Sequence, residues 1–372
     1  RQRFQNLKNR YKVNRRTGNT EFYPFETAYP FWGSLDYMMG LIKQYDLFLD
    51  IKKCLRHLRD FDYMITSYGD AFSIFAGKYY RKYHKKTLWI FDIRDAVYRY
   101  KFTPSYVSMI AKGYERQIWR MADCITGVSE GICRRVPQRY RSKVHCLTNG
   151  YDVSDRIGLD TARLDNGKMA FTYTGSMYGG LMDLSVFFRC IRDAAAHGRI
   201  DEDRIVFHFA GNAPAYEIFK SQAQKYGLEK NCVTHGKLTH KEALQLQQQS
   251  DVLLVASYDY QSSQGGVITG KALEYMSAGK PVIAVIMGDI EHSELAGIIR
   301  RTNLGTAYED AHGKEDYGRL YACVCRMYRE FTETGKISHS PDKNVLRRYD
   351  YRNLCRKLVK IMDKTGKQGE RL

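Results

Sequence analysis

Lys271 and Glu274 stand three residues apart, in a stretch opened by Gly265, Gly266 and Gly270 and closed by Gly279 and Pro281. A lysine brings the full positive charge that a phosphate calls for. A carboxylate repels phosphate, but it accepts hydrogen bonds from a sugar diol. Residues three apart on a helix share a face, so the pair would set a phosphate ligand beside a diol ligand. That combination suits a nucleotide or a nucleotide-sugar. The spacing alone also fits a plain crossover with a solvated lysine and glutamate. The stretch has neither the GxGxxG dinucleotide fingerprint nor the P-loop signature.

The elements around the pair can be read from pattern. Residues 251–256, DVLLVA, are apolar and β-branched enough for a buried strand. Residues 269–278 favour helix, with Ala272, Tyr275 and Met276 on one side. Gly279 suits a left-handed C-cap and Pro281 a stop. Residues 282–286 read as the next strand. Strand, glycine loop, short helix and strand make a βαβ unit. Its helix start aims free N–H groups and a positive dipole end at an anion.

The wording of residues 270–284, GKALEYMSAGKPVIA, resembles the donor-site segment of the GT-B glycosyltransferases of the large retaining family 4 group. The resemblance extends to WIFDIRD at 89–95, similar to the strand leading into the catalytic cleft. ADCITGVS at 122–129 resembles the next strand, and TNGYD at 148–152 the end-of-domain turn. It implies two Rossmann-like domains with parallel sheets facing a central cleft, and a last helix crossing back to the first domain. It also implies a nucleoside-diphosphate sugar as donor substrate with no cofactor, a lipid-linked or polysaccharide acceptor, and retention. By the same resemblance Gly175, Ser176, Gly211, Gly236, Lys237, Leu238, Gly266, Val267, Lys271 and Glu274 bind the nucleotide-sugar, and Arg94 and Asp95 line the reacting centre. Two departures stand out. Gly266 occupies the position of a glutamate that many members use on the donor sugar, and Arg94 that of a histidine. Arginine cannot act as a general base, but it can hold phosphate or the charge developing on the leaving group.

The rest of the chain alternates strand and helix, which predicts parallel sheets covered on both faces. In the first half, strands are expected at 62–67, 87–92, 123–129 and 143–147, and helices at 40–59, 71–83, 105–121 and 130–135. In the second half, strands are expected at 169–173, 204–210 and 232–235, and helices at 184–196, 216–226 and 241–249. The expected organisation is an acceptor-side domain over 1–150, a linker over 151–168 and a nucleotide-sugar domain over 169–340. A basic amphipathic helix lies within 341–372. The family's first strand and glycine loop are missing, either absent or lying upstream of Arg1. In parallel sheets, ligands sit beyond the carboxyl ends of strands. Gly175 and Ser176, Gly211, and the 236–238 turn all fall there. A glycine after the first strand would let N–H groups approach a phosphate, though each of these also fits a tight turn.

Composition limits the function classes. The chain has 372 residues, 27% charged and 44% hydrophobic, with a net charge of +18. Residues 1–160 hold 29 basic against 16 acidic residues and the remainder 30 against 25, so the first half is the basic one. It suits an anionic membrane surface or a lipid-diphosphate acceptor, which places the protein in the cytoplasm or on the cytoplasmic face of a membrane. Nine scattered cysteines without a CxxC argue against a disulfide framework. No HxxxH or HExxH pair occurs among the ten histidines, so no metal site is expected. The DxD patterns at 60–62 and 201–203 precede strands, at the wrong edge for a ligand. Two rival readings stay open: a GT-B protein that binds nucleotide-sugars without activity, and a basic nucleic-acid-binding protein. No recognisable nucleic-acid module supports the latter.

Overall fold

The computed structural model describes residues 45, 48–49, 52, 54–68, 71–94, 105–164, 167–260 and 265–369. Part of the expected 40–59 helix, and Asp95, lie outside them. Two parallel sheets organise these residues.

The first sheet is built from β1 (Tyr63–Tyr68), β2 (Leu88–Ile93), β3 (Cys124–Gly127) and β4 (Val144–Cys146), in that spatial order. The connections are helices α1 (Ala71–Tyr83), α2 (Ser105–Met121) and α3 (Glu130–Arg134). Side chains alternate across a strand. Trp89 and Phe91 therefore join Ile74, Ile118 and Ile125 on one face, while Ile90 and Cys124 meet Ile361 on the other.

The second sheet holds β5 (Met169–Thr174), β6 (Ile205–Ala210), β7 (Cys232–Thr234), β8 (Val252–Asp259), β9 (Val282–Gly288) and β10 (Gly305–Glu309). Its order is β10-β9-β8-β5-β6-β7, all parallel. The chain runs outward from β5 to one edge, then returns to β5 and builds the other half. Neighbours β5 and β8 therefore flank a topological switch point, where the loops leaving their carboxyl ends diverge and open a crevice. Helices α4 (Ser185–Ala196), α5 (Ala213–Gln224), α6 (His240–Gln249), α7 (Gly270–Met276), α8 (Glu294–Arg301) and α9 (Lys314–Thr334) cover this sheet.

Both faces of the sheet are apolar, as two-sided burial requires. Phe171, Phe187, Phe188, Phe207 and Phe219 pack on one side, and Leu253, Val255, Tyr275, Ala284 and Leu295 on the other. Each fully buried Phe contributes about 1.5–3 kcal/mol relative to an exposed one. β10 and the full length of α9 were not anticipated; residues 305–309, GTAYE, carry too little apolar alternation to announce a strand.

The chain crosses between the sheets twice at one place. Tyr151 donates its N–H to the Tyr349 carbonyl at 3.0 Å and accepts from the Tyr351 N–H at 3.0 Å. Its hydroxyl donates to the Leu346 carbonyl at 3.1 Å. Leu346 ends the short helix α10 (Lys343–Leu346), and α11 (Tyr351–Gly369) then runs onto the first sheet. There the Tyr63 hydroxyl donates to the Met362 carbonyl at 3.0 Å, and Ile361 packs on Ile90. The last helix therefore returns to the first domain. No helix among the described residues is long and apolar enough to cross a membrane.

Candidate active site

The switch-point crevice is lined from β5 by Gly175 and from the loop after β8 by α7. Thr269 caps α7, with its side chain accepting from the Lys271 N–H. The helix is short because Gly279, at φ +65, turns the chain into Pro281 and β9. Lys271 reaches back across the switch point: a Cβ placed on Gly175 would lie 3.1 Å from Lys271 Cε. Gly175, at φ +128, thus leaves room for the lysine stem.

The glycine turns at this edge are held by backbone hydrogen bonds. The Gly175 N–H donates to the Ala210 carbonyl at 2.8 Å, and the Gly211 N–H to the Gly236 carbonyl at 2.9 Å. The Gly236 N–H donates to Thr234 Oγ1 at 3.1 Å. The first two bonds tie the strand ends together, and the third closes the turn at 234–236. Ser176 and Lys237 are exposed and Leu238 is half-buried at the same edge of the sheet.

Lys271 Nζ donates to Glu274 Oε1 at 3.1 Å. The same oxygen accepts from Gln247 Nε2 at 2.5 Å, and Gln247 Nε2 also donates to Thr174 Oγ1 at 2.9 Å. The fully buried Tyr275 hydroxyl accepts from the Thr174 N–H at 3.0 Å. Burial pushes the Tyr275 phenol well above its ordinary range. Arg156, from the linker, donates to Gln247 Oε1 at 2.6 Å, to Ser277 Oγ at 2.7 Å and to the Leu244 carbonyl at 3.0 Å. Burial lowers the Arg156 guanidinium to about 10, so it stays charged at neutral pH. Arg156, Gln247 and Thr174 fix the base of Glu274, and among the described residues Oε2 is left with only His240, 3.9 Å away. Nothing local in the sequence marks these three residues: a linker arginine, a helix glutamine and a strand-end threonine all read as solvated.

The first sheet presents Arg94 at the carboxyl end of β2. Its Nε donates to Asp92 Oδ2 at 2.8 Å, and its Nη1 to Asn149 Oδ1. Asp92 is buried and also accepts from Ser67 Oγ at 3.0 Å and Thr126 Oγ1 at 2.7 Å. One carboxylate thereby clamps the ends of β1, β2 and β3 and aims the half-exposed Arg94. Arg94 thus forms its ion pair with Asp92; Asp95, expected beside it at the reacting centre, lies outside the described residues.

The two halves meet at the glycine loop. Gly266 is buried at φ +87, and a Cβ there would lie 2.6 Å from Gly131 Cα and 2.7 Å from Ser129 Oγ. Beside this contact the Glu294 carboxylate accepts from the N–H groups of Glu130 at 2.9 Å and Gly131 at 3.1 Å. It supplies the negative charge that the start of α3 favours. Val267, next in the loop, is half-buried.

Asp259, at the end of β8, accepts from the Gly266 N–H at 3.1 Å and so shapes the loop. Burial raises its carboxyl to about 6, against the opposing pull of the Gly266 and Val267 N–H groups. A carboxyl raised in the fold binds its proton more tightly folded than unfolded. Stability is therefore expected to fall as pH rises from about 4 to about 6 and then to level off. Asp259→Asn keeps an acceptor for Gly266 and removes the charge. Urea unfolding of both proteins from pH 4 to 7 is expected to show the variant gaining on the parent by roughly 2 kcal/mol across that window. Parallel pH profiles would reject the assignment.

Parallel sheets of Rossmann order, a crevice at the switch point and a last helix crossing back define the GT-B fold class. Solved structures share it. A lipopolysaccharide outer core galactosyltransferase, WaaB in its apo form, matches with a TM-score of 0.57 at 14% identity, over 89% of this chain and 82% of that one. An α,α-trehalose 6-phosphate synthase from Burkholderia multivorans matches with a TM-score of 0.62 at 11% identity, over 91% and 77%. A sucrose-phosphate synthase from Thermosynechococcus elongatus gives 0.54 at 14%, over 86% and 78%. No curated protein matches the chain. More narrowly, residues 191–293 match the family model described as glycosyl transferases group 1. The matched segment spans α7 with Lys271 and Glu274, and ends one residue before Glu294.

Proposed function

We propose that this chain is a retaining glycosyltransferase. It moves a sugar from a nucleoside-diphosphate sugar to a lipid-linked or polysaccharide acceptor, with no metal in the chemical step. The observation that carries this reading is the Lys271–Glu274 pair at the switch point, inside the segment that matches the glycosyl transferases group 1 model. Solved structures of the same fold, at 14% identity or less, include a galactosyltransferase and a UDP-forming trehalose-phosphate synthase.

In this mechanism Lys271 neutralises the diphosphate, and Arg94 faces the developing charge from the other domain. Two fixed cations supply the electrostatic stabilisation that a leaving diphosphate needs. The C1–O bond to the diphosphate breaks, the acceptor oxygen bonds C1 from the same side, and the departing phosphate oxygen takes the acceptor proton. No protein base is then required, which agrees with an arginine at position 94. The basic first half would hold the protein on the cytoplasmic face of an anionic membrane, next to a lipid-linked acceptor.

The test incubates the full chain with UDP-, GDP- and ADP-sugars, with lipid-linked acceptors in anionic vesicles or with soluble polysaccharide, in chelator. Product is detected by mass spectrometry and its anomeric configuration by NMR. An inverted product would refute retention, and loss of activity in chelator would refute metal independence. Gly266 favours a second reading, that of a nucleotide-sugar-binding protein without transferase activity, since no carboxylate stands there. Tight donor binding with no product from any acceptor would select it.

Lys271→Ala is expected to weaken nucleoside-diphosphate binding by about 1.5–3 kcal/mol, the range for a hydrogen bond to a charged group. Calorimetry on the folded variant showing unchanged affinity would remove Lys271 from the phosphate site.

A further inference from the structure

A second site lies at the same edge of the second sheet, beyond β9 and β10. We propose that Glu291, His292 and His312 bind a divalent transition-metal ion of the borderline kind that zinc exemplifies. This departs from the sequence expectation of no metal site. The two histidines are twenty residues apart and match no zinc spacing. Folding brings them together from two loops, with one donor atom from each of the three residues within 4.8 Å of the others.

The geometry is held from both sides. Glu309, which ends β10, accepts from the Ser293 N–H at 2.6 Å, so the loop carrying His292 is pinned to the strand that leads to His312. The Gly313 N–H donates to the Glu309 carbonyl at 3.3 Å and fixes the turn bearing His312. The two imidazole rings lie 4.7 Å apart between centroids. His292 keeps a left-handed backbone, φ +58, where only Asn303 joins it among described non-glycine residues. His312 Nε2 is shut off from water and has no hydrogen-bond partner. An uncompensated ring nitrogen is a group that a cation would pair with.

Chemistry selects the ion. Two imidazoles and one carboxylate suit zinc, cobalt or nickel, whereas magnesium and calcium prefer all-oxygen shells. Glu291 and His292 are exposed, and His312 is half-buried. Asp289 and Asp310 lie two residues before Glu291 and His312 in the sequence. Three protein ligands leave a fourth position to water. The site does not depend on the transferase reading.

The test uses the full chain, stripped with chelator, and titrates zinc by calorimetry in the presence of excess magnesium. The parent is expected to bind one more zinc equivalent than His292→Asn or His312→Ala. Asparagine tolerates the left-handed backbone, so the first variant keeps the fold. His197→Ala, remote from the cluster, should match the parent. Cobalt absorption should show no sulfur charge-transfer band, which separates this site from the nine cysteines. Equal zinc stoichiometry and affinity in the parent and both cluster variants would overturn the proposal. A thiolate spectrum for the lost equivalent would do the same.

Discussion

Gly266→Glu is expected to destabilise the folded chain by about 2–6 kcal/mol, combining overpacking of about 1–3 with a strained backbone of similar size. The β-carbon alone would sit 2.6 Å from Gly131 Cα, which is backbone and cannot swing aside. The left-handed φ of +87 adds strain for any L side chain. Even Gly266→Ala should therefore be costly. Gly270→Ala, four residues on with nothing within 4 Å of its β-carbon, should be tolerated. Because the clash lies between the halves, the chain can relieve part of it by parting them and giving up the Glu294 bonds to Glu130 and Gly131. Limited proteolysis of the linker and thermal unfolding would report the two routes. If Gly266→Glu unfolds and resists protease like the parent, the close glycine contact does not exist in solution. The prediction also bears on the position's chemistry: the glutamate many members of the resembled family carry cannot be restored here without first moving the domains.

What the sequence made legible follows from the range of the interactions. Strands such as 205–210 are apolar on both faces, so their neighbours matter little to recognising them. Helices such as 71–83 and 105–121 declare themselves by local periodicity, and their observed bounds match the expected ones. The short α7 was readable because its cap Thr269 and its stop Gly279 lie beside it. The support of the site was not readable. Arg156 and Glu274 are 118 residues apart, and nothing local marks a linker arginine as the half-buried brace of a helix. Gly131 in a short helix and Gly266 in a loop look ordinary until the fold presses them together. The partner of the Gly175 N–H was not readable either. The hydrogen bond that occupies its N–H comes from β6, a partner visible only once the sheet order is known.

Glu274→Gln is expected to raise the donor KM far more than it lowers kcat, with a loss in kcat/KM of about 1.5–3 kcal/mol. That range is one charge-assisted hydrogen bond. The argument rests on how the carboxylate is held. Lys271 and Gln247 both donate to Oε1, while among the described residues Oε2 has only His240 at 3.9 Å. One oxygen thus positions the lysine, and the other is left to accept from a ligand hydroxyl. A ribose diol bound there stays bound through the reaction, so its binding energy is shared by ground and transition states and appears in KM. Glutamine keeps the shape but loses the charge, and it loosens Lys271 as well. A donor lacking the ribose 2′-hydroxyl separates the two effects. On the parent it should bind weakly; on Glu274→Gln it should lose little more, because the partner of that hydroxyl is already gone. Lys271→Ala, by contrast, should leave the penalty for the missing hydroxyl intact. A Glu274→Gln enzyme that binds donor normally and loses only kcat would place Glu274 in the chemical step and refute the ribose assignment.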